Sequence, residues 1–433
     1  MHQFKTGFLA FILSITFVSQ LFSQGTVSPY SAYGIGLQPE KSYASNNGMG
    51  NAGLAYSSPW FIPVLNPALL GNQTFTSFEA GLGITQTAVR DEINRYNQVN
   101  GGLRYISLAL PIVAGKYGIS ISLNPYSDKN YNLVQAQDDT QNLRAGTKRY
   151  EGSGTISQLT LANGWNITKN ISIGAEANYN FGKITDRTIY QNIIHGEDSI
   201  RIPYVVSGET VHNYSDFSFL LGTRLQHKIG KNNLGLGITY DLPANLNTTR
   251  NTFLQFLSTT GTPLDPQTGL TDSTNFSTFN QEGNTAIPGK LSVGLSFWRQ
   301  NKWAVSTDFT YQDWEQYELF GEKDLNLSRK TEVKIGAEYT PDVQAGDNYF
   351  KRMTYRAGLH VDNGPIVINN TSINSFGITF GTTLPISKVS NVNLAFEVGQ
   401  RGTLINNLVR EDYFSFNLSF TYNDRWFLRR QFD

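Results

Sequence analysis

The 433-residue sequence contains no cysteine and few charged residues. Without thiols there are no disulfide bonds, cysteine nucleophiles or cysteine-ligated metal sites. Charged residues make up 16% of the chain, which is below the roughly 25% of soluble globular domains. The 34 basic and 34 acidic residues balance each other, so the composition indicates no nucleic-acid partner.

Long apolar runs are missing from the body of the sequence, and the one long run stands at its start. Gly7 to Phe22 reads "GFLAFILSITFVSQLF", with Lys5 before it and Ser23 and Gln24 after it. A basic residue, an apolar stretch and a small residue in this order are typical of a secretory signal peptide. The alternative, a transmembrane anchor, needs about 20 apolar residues, and this run is shorter and contains polar side chains. We therefore expect residues 1–23 to be a signal peptide.

Glycine and aromatic residues are abundant instead: 40 Gly, 27 Phe and 22 Tyr. From Thr74 onward, apolar and polar residues alternate in segments such as "FEAGLGIT" and "FSFNLSFTY", which predicts β-strands. We count about fourteen such segments, each long enough for a tilted strand to cross a bilayer. Their centres lie near Leu82, Leu108, Ile121, Leu161, Ala175, Phe219, Leu236, Val293, Val305, Ile335, Ala357, Ile378, Leu394 and Leu418.

The connections between these segments alternate in length. The longer ones include Gln86–Gly101, Asp128–Gly152, Asp186–His212 and Pro243–Ile287, and the short ones include Val113–Lys116, Thr168–Asn170, Gly230–Asn233 and Arg299–Lys302. Barrels of the outer membrane have short periplasmic turns and long external loops. A secreted sandwich or propeller is the alternative, but fourteen segments exceed one sandwich and no blade-length repeat is visible. We predict an all-β protein of the Gram-negative outer membrane, a 14-stranded antiparallel barrel over residues 74–433.

The motif G-x-G-x-x-G occurs once, at Gly48, Gly50 and Gly53. A dinucleotide site would need a strand before these glycines and a helix after them. Turn-forming residues precede them, and Pro59 and Pro63 follow, which excludes a long helix. We therefore expect no nucleotide and no other cofactor, and we interpret the glycines as places where the chain packs too tightly for side chains.

The segment Gln24–Gln73 is rich in apolar residues and has few charges, Glu40 and Lys41. We expect it to fill the barrel as an N-terminal plug, or hatch, because fourteen strands enclose a lumen that wall side chains alone do not fill. Prolines should hold its apolar side chains in place, and Asn66 should bind the backbone. The predicted substrate-binding residues are Trp60, Phe61, Leu65, Asn66, Pro67 and Leu69.

A plug with "GMGNAGLAY" and "NPALL" (Asn66–Leu70) ahead of about fourteen strands resembles the FadL-type outer-membrane transporters. In that family an Asn-Pro-Ala motif lies in the hatch, and Asn66, Pro67 and Ala68 match it. The resemblance implies passive uptake of hydrophobic molecules such as long-chain fatty acids, with membrane lipid and a hydrophobic small molecule as partners. The third strand of these barrels carries a kink that opens the wall sideways, and Pro125 is the candidate here, since proline breaks a strand ladder.

A related barrel type, PorV, provides the alternative function: a non-transporting subunit that docks cargo and partner proteins of type IX secretion or other surface machinery. An apolar cavity beside the plug together with a gap in the wall would favour transport. A lumen packed shut, with a broad apolar or aromatic rim outside, would favour docking.

Charged residues at inward positions of the strands are the candidates for chemistry. They are Glu79, Glu176, Arg224, Asp308, Lys334, Glu338, Arg356, His360 and Glu397. A hydrolase would need a nucleophile, base and acid together, and only His360, with Asp308 or Asp362, is placed for that. We favour a network of paired charges, so we predict no catalytic residues and no enzyme activity. The loop carboxylates Asp138, Asp139, Asp265, Asp272 and Glu282 lack the spacing of a calcium loop, so we predict no metal site.

The loop lengths also predict orientation. Arg95, Arg149, Asp198 and Asp272 should lie outside the cell, and Lys116, Lys169, Lys231 and Asn301 should face the periplasm.

Overall fold

The computed structural model describes residues 28–137, 146–192, 204–258, 276–346 and 348–425. The predicted signal peptide, residues 1–23, lies outside this range. The strands form one antiparallel sheet that closes on itself, because the first strand pairs with the last from Thr76↔Asp424 to Arg90↔Arg410. The prediction of a 14-stranded antiparallel barrel is confirmed.

Ten of the fourteen strands are continuous. They are β1 (Thr76–Arg90), β2 (Arg95–Val113), β3 (Tyr117–Gln137), β4 (Gly146–Asn166), β5 (Ile171–Asn192), β6 (Tyr204–Ile229), β11 (Thr354–Ile368), β12 (Thr371–Pro385), β13 (Ser390–Gly402) and β14 (Arg410–Asp424).

The other four strands each consist of two segments. They are β7 (Asn232–Asp241 and Ala244–Ser258), β8 (Phe276–Ile287 and Lys290–Arg299), β9 (Trp303–Asp313 and Glu318–Leu319) and β10 (Glu322–Lys323 and Arg329–Tyr339). Pro243 and Pro288 mark the breaks in β7 and β8, since proline cannot donate to a ladder.

The two faces of the wall differ in the way that the alternation predicts. On β1, Leu82 and Ile84 point outward and are each 48% exposed, whereas Glu79 points inward and is fully buried. An apolar outward face suits a bilayer, and the pairing of the first strand with the last means that the sheet does not end in an exposed edge strand. In the described part of the chain, no helix combines the length and apolar character of a membrane crossing.

The predicted long loops are largely strand. Arg90 pairs with Arg95, so the connection from β1 to β2 is a tight turn of Asp91–Asn94 rather than the predicted loop Gln86–Gly101. In the same way β6 extends over 26 residues, well beyond the 9–11 that a bilayer needs. The alternation in loop length therefore reflects strands that extend past the bilayer at one end, which we call the long end. The opposite end, where Thr76 and Asp424 lie, is the turn end.

Residues Ser28–Phe75, which we call the inner segment, lie against the inward face of the wall. The segment contains a 3₁₀ turn at Pro29–Ala32, the short helix α1 (Ala44–Asn47) and a second 3₁₀ turn at Pro67–Asn72. A second short helix of the chain, α2 (Tyr349–Arg352), lies in the turn between β10 and β11.

The inner segment contributes to two apolar clusters with a polar layer between them. At the long end, Tyr30 and Ile35 pack with wall residues such as Ile156 and Ile184. Toward the turn end, a second cluster contains Tyr43, Ile62, Val64, Leu70, Tyr105, Ala109 and Ala162. Glu40 and Lys41 lie in the stretch of chain between the two clusters.

Inward-facing glycines of the wall admit the inner segment, and we call them the glycine belt. Four are directly opposite one another on neighbouring strands β3 to β6: Gly118, Gly164, Gly174 and Gly222. The belt continues with the directly paired Gly237 and Gly294, and with the directly paired Gly336 and Gly358. At each of the eight, an added Cβ would overlap atoms of residues 49–70. The backbones therefore meet where any side chain would keep them apart.

Two glycines of the G-x-G-x-x-G motif, Gly48 and Gly50, also pack closely against the wall. A Cβ on Gly48 would lie 2.9 Å from the Cα of Gly381, and one on Gly50 would lie 2.7 Å from the backbone nitrogen of Leu359. Gly50 and Gly53 also have positive φ, 64° and 128°, which side chains disfavour. The interpretation as close-packing glycines is confirmed for Gly48 and Gly50, whereas the nearest atom to a Cβ on Gly53 would be Asn46 Nδ2 of the inner segment, at 3.2 Å. The helix α1 precedes the motif, opposite to the order of a nucleotide site.

Candidate functional site: the inner segment and a seam in the wall

The wall has an unpaired stretch between β2 and β3. The ladder between them runs from Val113↔Tyr117 to Ile106↔Leu123 and ends there. Both strands continue toward the long end, β2 to Arg95 and β3 to Gln137, and each remains paired on its other side. We call this unpaired stretch the seam.

Irregularities on both strands coincide with the start of the seam. In β3 the register with β4 shifts between Pro125 and Ser127. In β2 the register with β1 passes from Tyr105 to Leu103, so Arg104 is an extra residue. A bulge bends a strand and increases its local twist, and proline offers no donor to a neighbouring strand. Pro125 thus lies two residues beyond the last pair of the β2–β3 ladder.

The inner segment covers the free edge of β3. The backbone groups of Leu37 and Asp128 bond each other, with N···O distances of 2.9 and 2.8 Å. The backbone nitrogen of Ser28 donates to the carbonyl of Asn130 at 2.8 Å. Ser127 Oγ also donates to the carbonyl of Ile35. An uncovered strand edge at this depth would leave backbone groups unpaired, so this contact satisfies them.

Two adjacent residues of opposite charge link the inner segment to two sides of the barrel. Glu40 contacts Lys334 at 2.6 Å and Lys330 at 3.3 Å, both on β10. Lys41 contacts Glu176 on β5 at 2.5 Å. Burial alone would raise the pKa of the Glu40 carboxyl, but the two lysines hold it well below its usual range. The pair therefore fixes the segment between β5 and β10.

Further hydrogen bonds fix the inner segment near the turn end. Asp308 Oδ2 accepts from the backbone nitrogens of Gly53 and Leu54, at 2.8 and 3.0 Å. Asn66 Nδ2 donates to the carbonyls of Leu54 and Thr223, at 3.1 and 3.0 Å. The Oδ1 atom of Asn66 accepts from the nitrogen of Ala68 and caps the 3₁₀ turn. The prediction that Asn66 binds the backbone is confirmed.

The predicted substrate-binding residues contact different parts of the wall: Trp60 lies at β14, Phe61 at β11 and Asn66 at β6. The ring of Trp60 stacks on that of Phe75 with centroids 5.3 Å apart, and the guanidinium of Arg356 lies 4.8 Å from the centroid of Phe61. Leu65 packs against the cluster of Tyr43. Pro67 and Leu69 are buried with Asn66 in the 3₁₀ turn. A role in substrate binding stays a prediction.

None of these six residues lines either of two cavities in the described part of the chain. One, of about 340 Å³, lies between the long-end parts of β3 to β6 and has a polar lining that includes Glu151, Arg187 and Glu209. The other, of about 90 Å³, lies where residues Tyr33–Gln38 face β10 to β13 and Trp314. It is bounded both by apolar side chains such as Leu327 and by the charged Lys330 and Arg401.

Most of the inward-facing charges form ion pairs, as the network interpretation predicts, whereas Glu79 accepts hydrogen bonds from Tyr105 and Ser419. Arg356 contacts Glu338 at 3.1 Å, and His360 contacts Glu397 at 3.0 Å. Asp308 is bound to the inner segment rather than to His360. In the described ranges no group of three acidic or histidine residues could hold a metal ion. Of the loop carboxylates, Asp138, Asp139, Asp265 and Asp272 lie outside those ranges.

Sequence reasoning missed the residues that cover the seam and those that anchor the segment. The seam-covering residues Ser28 and Leu37 carry no local signal, because their partners lie about 100 residues away. Glu40 and Lys41 carry a weak one: they are isolated charges in an otherwise uncharged stretch, and charges enclosed in a barrel need partners.

Three solved structures share this fold. The CymD monoaromatic hydrocarbon channel aligns with a TM-score of 0.56 and 15% identity, over 88% of this chain and 97% of its own. A FadL homologue from Pseudomonas aeruginosa aligns with a TM-score of 0.59 and 11% identity, over 89% of this chain and 99% of its own. The toluene transporter TodX from Pseudomonas putida aligns with a TM-score of 0.53 and 14% identity, over 90% of this chain and 99% of its own.

The chain thus has the fold of the FadL-type β-barrels. Identities this low establish a shared fold but not a shared substrate. A family model described as BamG matches residues 4–433, so the chain belongs to the BamG family. The resemblance to FadL-type proteins therefore holds for the fold, while the family is BamG. No curated protein matches the sequence.

Proposed function

We propose that the protein is a passive outer-membrane channel that takes up small hydrophobic molecules at its long end and releases them sideways through the seam. The seam is the observation that supports this: the backbone pairing of β2 and β3 stops at Ile106 and Leu123 while both strands continue. A molecule that leaves there enters the apolar surroundings of the wall. It does not need to cross the packed turn end.

The stretch Ser28–Leu37 of the inner segment acts as the gate in this proposal. It is bonded to β3, so its release from Asp128 and Asn130 would open the seam. Trp60, Phe61, Leu65, Asn66, Pro67 and Leu69 would form the floor beneath the hydrophobic molecule. The CymD and TodX structures are described as a monoaromatic hydrocarbon channel and a toluene transporter. Long-chain fatty acids are the second substrate class to test.

A disulfide that locks the gate tests the proposal. Leu37 and Asp128 are a directly bonded pair, a geometry in which Cα atoms lie about 5.5 Å apart and a disulfide fits. The sequence has no cysteine, so L37C/D128C forms one defined bridge. A matched control is S296C/S306C, a direct β8–β9 pair with Oγ atoms 2.8 Å apart and no contact with the seam.

We expect the oxidised gate variant to lose uptake of toluene or of a labelled fatty acid into cells that lack other such channels. Reduction should restore uptake, and the control should transport in both states. Equal uptake by the oxidised and reduced gate variant would contradict the proposal.

A second function, a closed barrel that docks partner proteins of a surface or secretion machinery, is favoured by a different observation. Inward residues beside the seam are polar, among them Ser107, Ser122 and Asn124, and charged contacts and the glycine belt hold the inner segment. A lumen of this kind offers little to a hydrophobic molecule. Two results together would replace the channel by the docking function. Uptake would be the same for the oxidised and the reduced gate variant, and the intact barrel would co-purify with the same partner proteins from cells that carry the gate variant or the control variant.

A further inference from the structure

Three arginines form a row across neighbouring strands at the long end. Arg410 of β14 is directly opposite Arg90 of β1, and Arg90 is directly opposite Arg95 of β2. Residues directly opposite in an antiparallel sheet share a face, with Cβ atoms about 4.5–5.5 Å apart. Like charges in this arrangement repel each other. The row therefore needs anionic partners.

The row faces outward. Along β1 the inward positions Val89 and Thr87 are buried, and Arg90 belongs to the same face as the exposed Ile84 and Leu82. On β14 the outward positions below Arg410 are Asp412 and then Phe414, which is 44% exposed. On β2, Val99 of the same face is 64% exposed. The guanidinium groups thus border the apolar belt at its long-end edge.

The protein itself neutralises the row only in part. Asp412 Oδ2 accepts hydrogen bonds from Arg90 Nη2, at 2.6 Å, and from Arg410 Nη2, at 3.2 Å. One carboxylate therefore serves two guanidinium groups. Arg95 has no hydrogen bond or ion pair to another residue of the described part.

The turn that follows Arg90 supplies two more carboxylates. Asp91 accepts hydrogen bonds from the backbone nitrogens of Ile93 and Asn94, at 2.8 and 2.5 Å, so its carboxylate is already bound within the turn. Glu92 is exposed and has no bond to the three arginines. Neither carboxylate binds the guanidinium donors of the row that have no partner within the described part of the protein.

We propose that the arginine row binds the phosphate groups of an anionic lipid in the external leaflet. Guanidinium groups bind phosphate in a bidentate manner, and three in a row present a surface to more than one phosphate. The apolar side chains just below would contact the acyl chains of the same molecule. The proposal rests on the barrel orientation and not on transport, so it stands if the channel proposal fails.

The test uses the purified full-length barrel in mild detergent, titrated with three probes: a bisphosphorylated lipid A, the same lipid with its phosphates removed, and inorganic phosphate. Binding is measured by native mass spectrometry. The first variant is Arg95→Gln, because Arg95 has no partner whose loss could impair folding. The second is Arg90→Gln with Arg410→Gln. The control is Arg149→Gln, an arginine of β4 whose side chain is 53% exposed.

We expect the bisphosphorylated lipid to bind the native barrel, with about tenfold weaker binding to Arg95→Gln and no change for Arg149→Gln. Tenfold is the size expected for loss of one charge-assisted contact. Equal binding of the dephosphorylated lipid, equal binding to Arg95→Gln, or binding of inorganic phosphate alone would each overturn the proposal. Heat-modifiable migration on gels confirms that each variant is folded.

Discussion

Single residues decide how closely the inner segment approaches the wall. Gly358 is directly opposite Gly336, and both lie against Met49 of the inner segment. The contact is between backbones, which cannot move aside as a flexible side chain can. The absence of a side chain at these positions is therefore a packing requirement and not a propensity for strand or turn.

Gly358→Ala should lower the free energy of unfolding by about 2 kcal/mol, the size of an overpacked core substitution. Gly208→Ala is the matched control, because a Cβ at Gly208 of β6 would meet no atom within 4 Å. Unfolding in urea, followed by loss of heat-modifiable migration, measures both. Equal stability of the two variants would contradict the claim that the glycine belt packs tightly against the inner segment.

Glu40 makes the inner segment sensitive to acid. Its pKa lies well below the ordinary 4.5 in the folded protein, because Lys334 and Lys330 stabilise the carboxylate against the cost of burial. A carboxyl with a lowered pKa stabilises the folded state fully above its unfolded pKa. That contribution disappears as the pH falls from about 4.5 through the lowered value.

Glu40→Gln should therefore cost about 2 kcal/mol of stability at pH 7, because it leaves two buried lysines with less negative charge. The difference from the native protein should shrink below pH 4.5. Urea unfolding at several pH values gives the profile, and Glu92→Gln in the exposed turn is the control. A difference that stays constant down to pH 3 would show that the Glu40 carboxylate does not hold the segment.

At the scale of elements, the inner segment and the wall depend on each other unequally. The ladder of the wall is complete without the segment everywhere except at the seam, where Leu37 bonds Asp128. The segment contains no element longer than the six-residue turn Pro67–Asn72. It takes its shape from the wall, since such short helical turns are unstable alone.

Deletion of Gln24–Gln73 should thus leave a barrel that inserts and migrates as a folded species but conducts ions. The physical reason is that the glycine belt and the polar inward face would then border water. Planar-bilayer conductance measures the effect, with the native protein as the closed reference. A folded deletion variant that stays closed would show that this segment does not block the lumen.

Pro125 and Arg104 show how two elements combine to make a feature that neither contains. Each is a local irregularity in one strand. Only because the two lie at the same height on adjacent strands does the ladder stop between them. A sequence signal for a break existed at Pro125, and none existed at Arg104.

At the scale of the whole molecule, the barrel has two unlike ends. The strands β3 to β8 extend far past the bilayer at the long end, and the short turns lie at the other. The loop-length pattern predicts that the turn end faces the periplasm.

Cysteine labelling of intact cells should therefore modify Arg149→Cys and leave Lys116→Cys unmodified. The reason is that Arg149 lies near the long end of β4, and Lys116 lies in the turn between β2 and β3. A membrane-impermeant maleimide reports the difference, and lysed cells provide the control in which both react. Labelling at position 116 in intact cells would reverse the orientation. Asp198 and Asp272, expected outside, lie beyond the described residues.

The sequence by itself determined the wall, because alternation with period two is a local property that each strand carries in its own residues. It placed all fourteen strand centres, the inward charges and the close-packing role of Gly48 and Gly50. Its error, the long loops, arose because polar strands outside the bilayer lose the alternation that marks a strand.

Tertiary structure alone decided the seam, the cross-lumen pairing of Glu40 and Lys41, and the arginine row. Each depends on the register between strands that are far apart in the chain, as with Arg410 beside Arg90. Closure of the barrel sets that register, and no short stretch of sequence contains it.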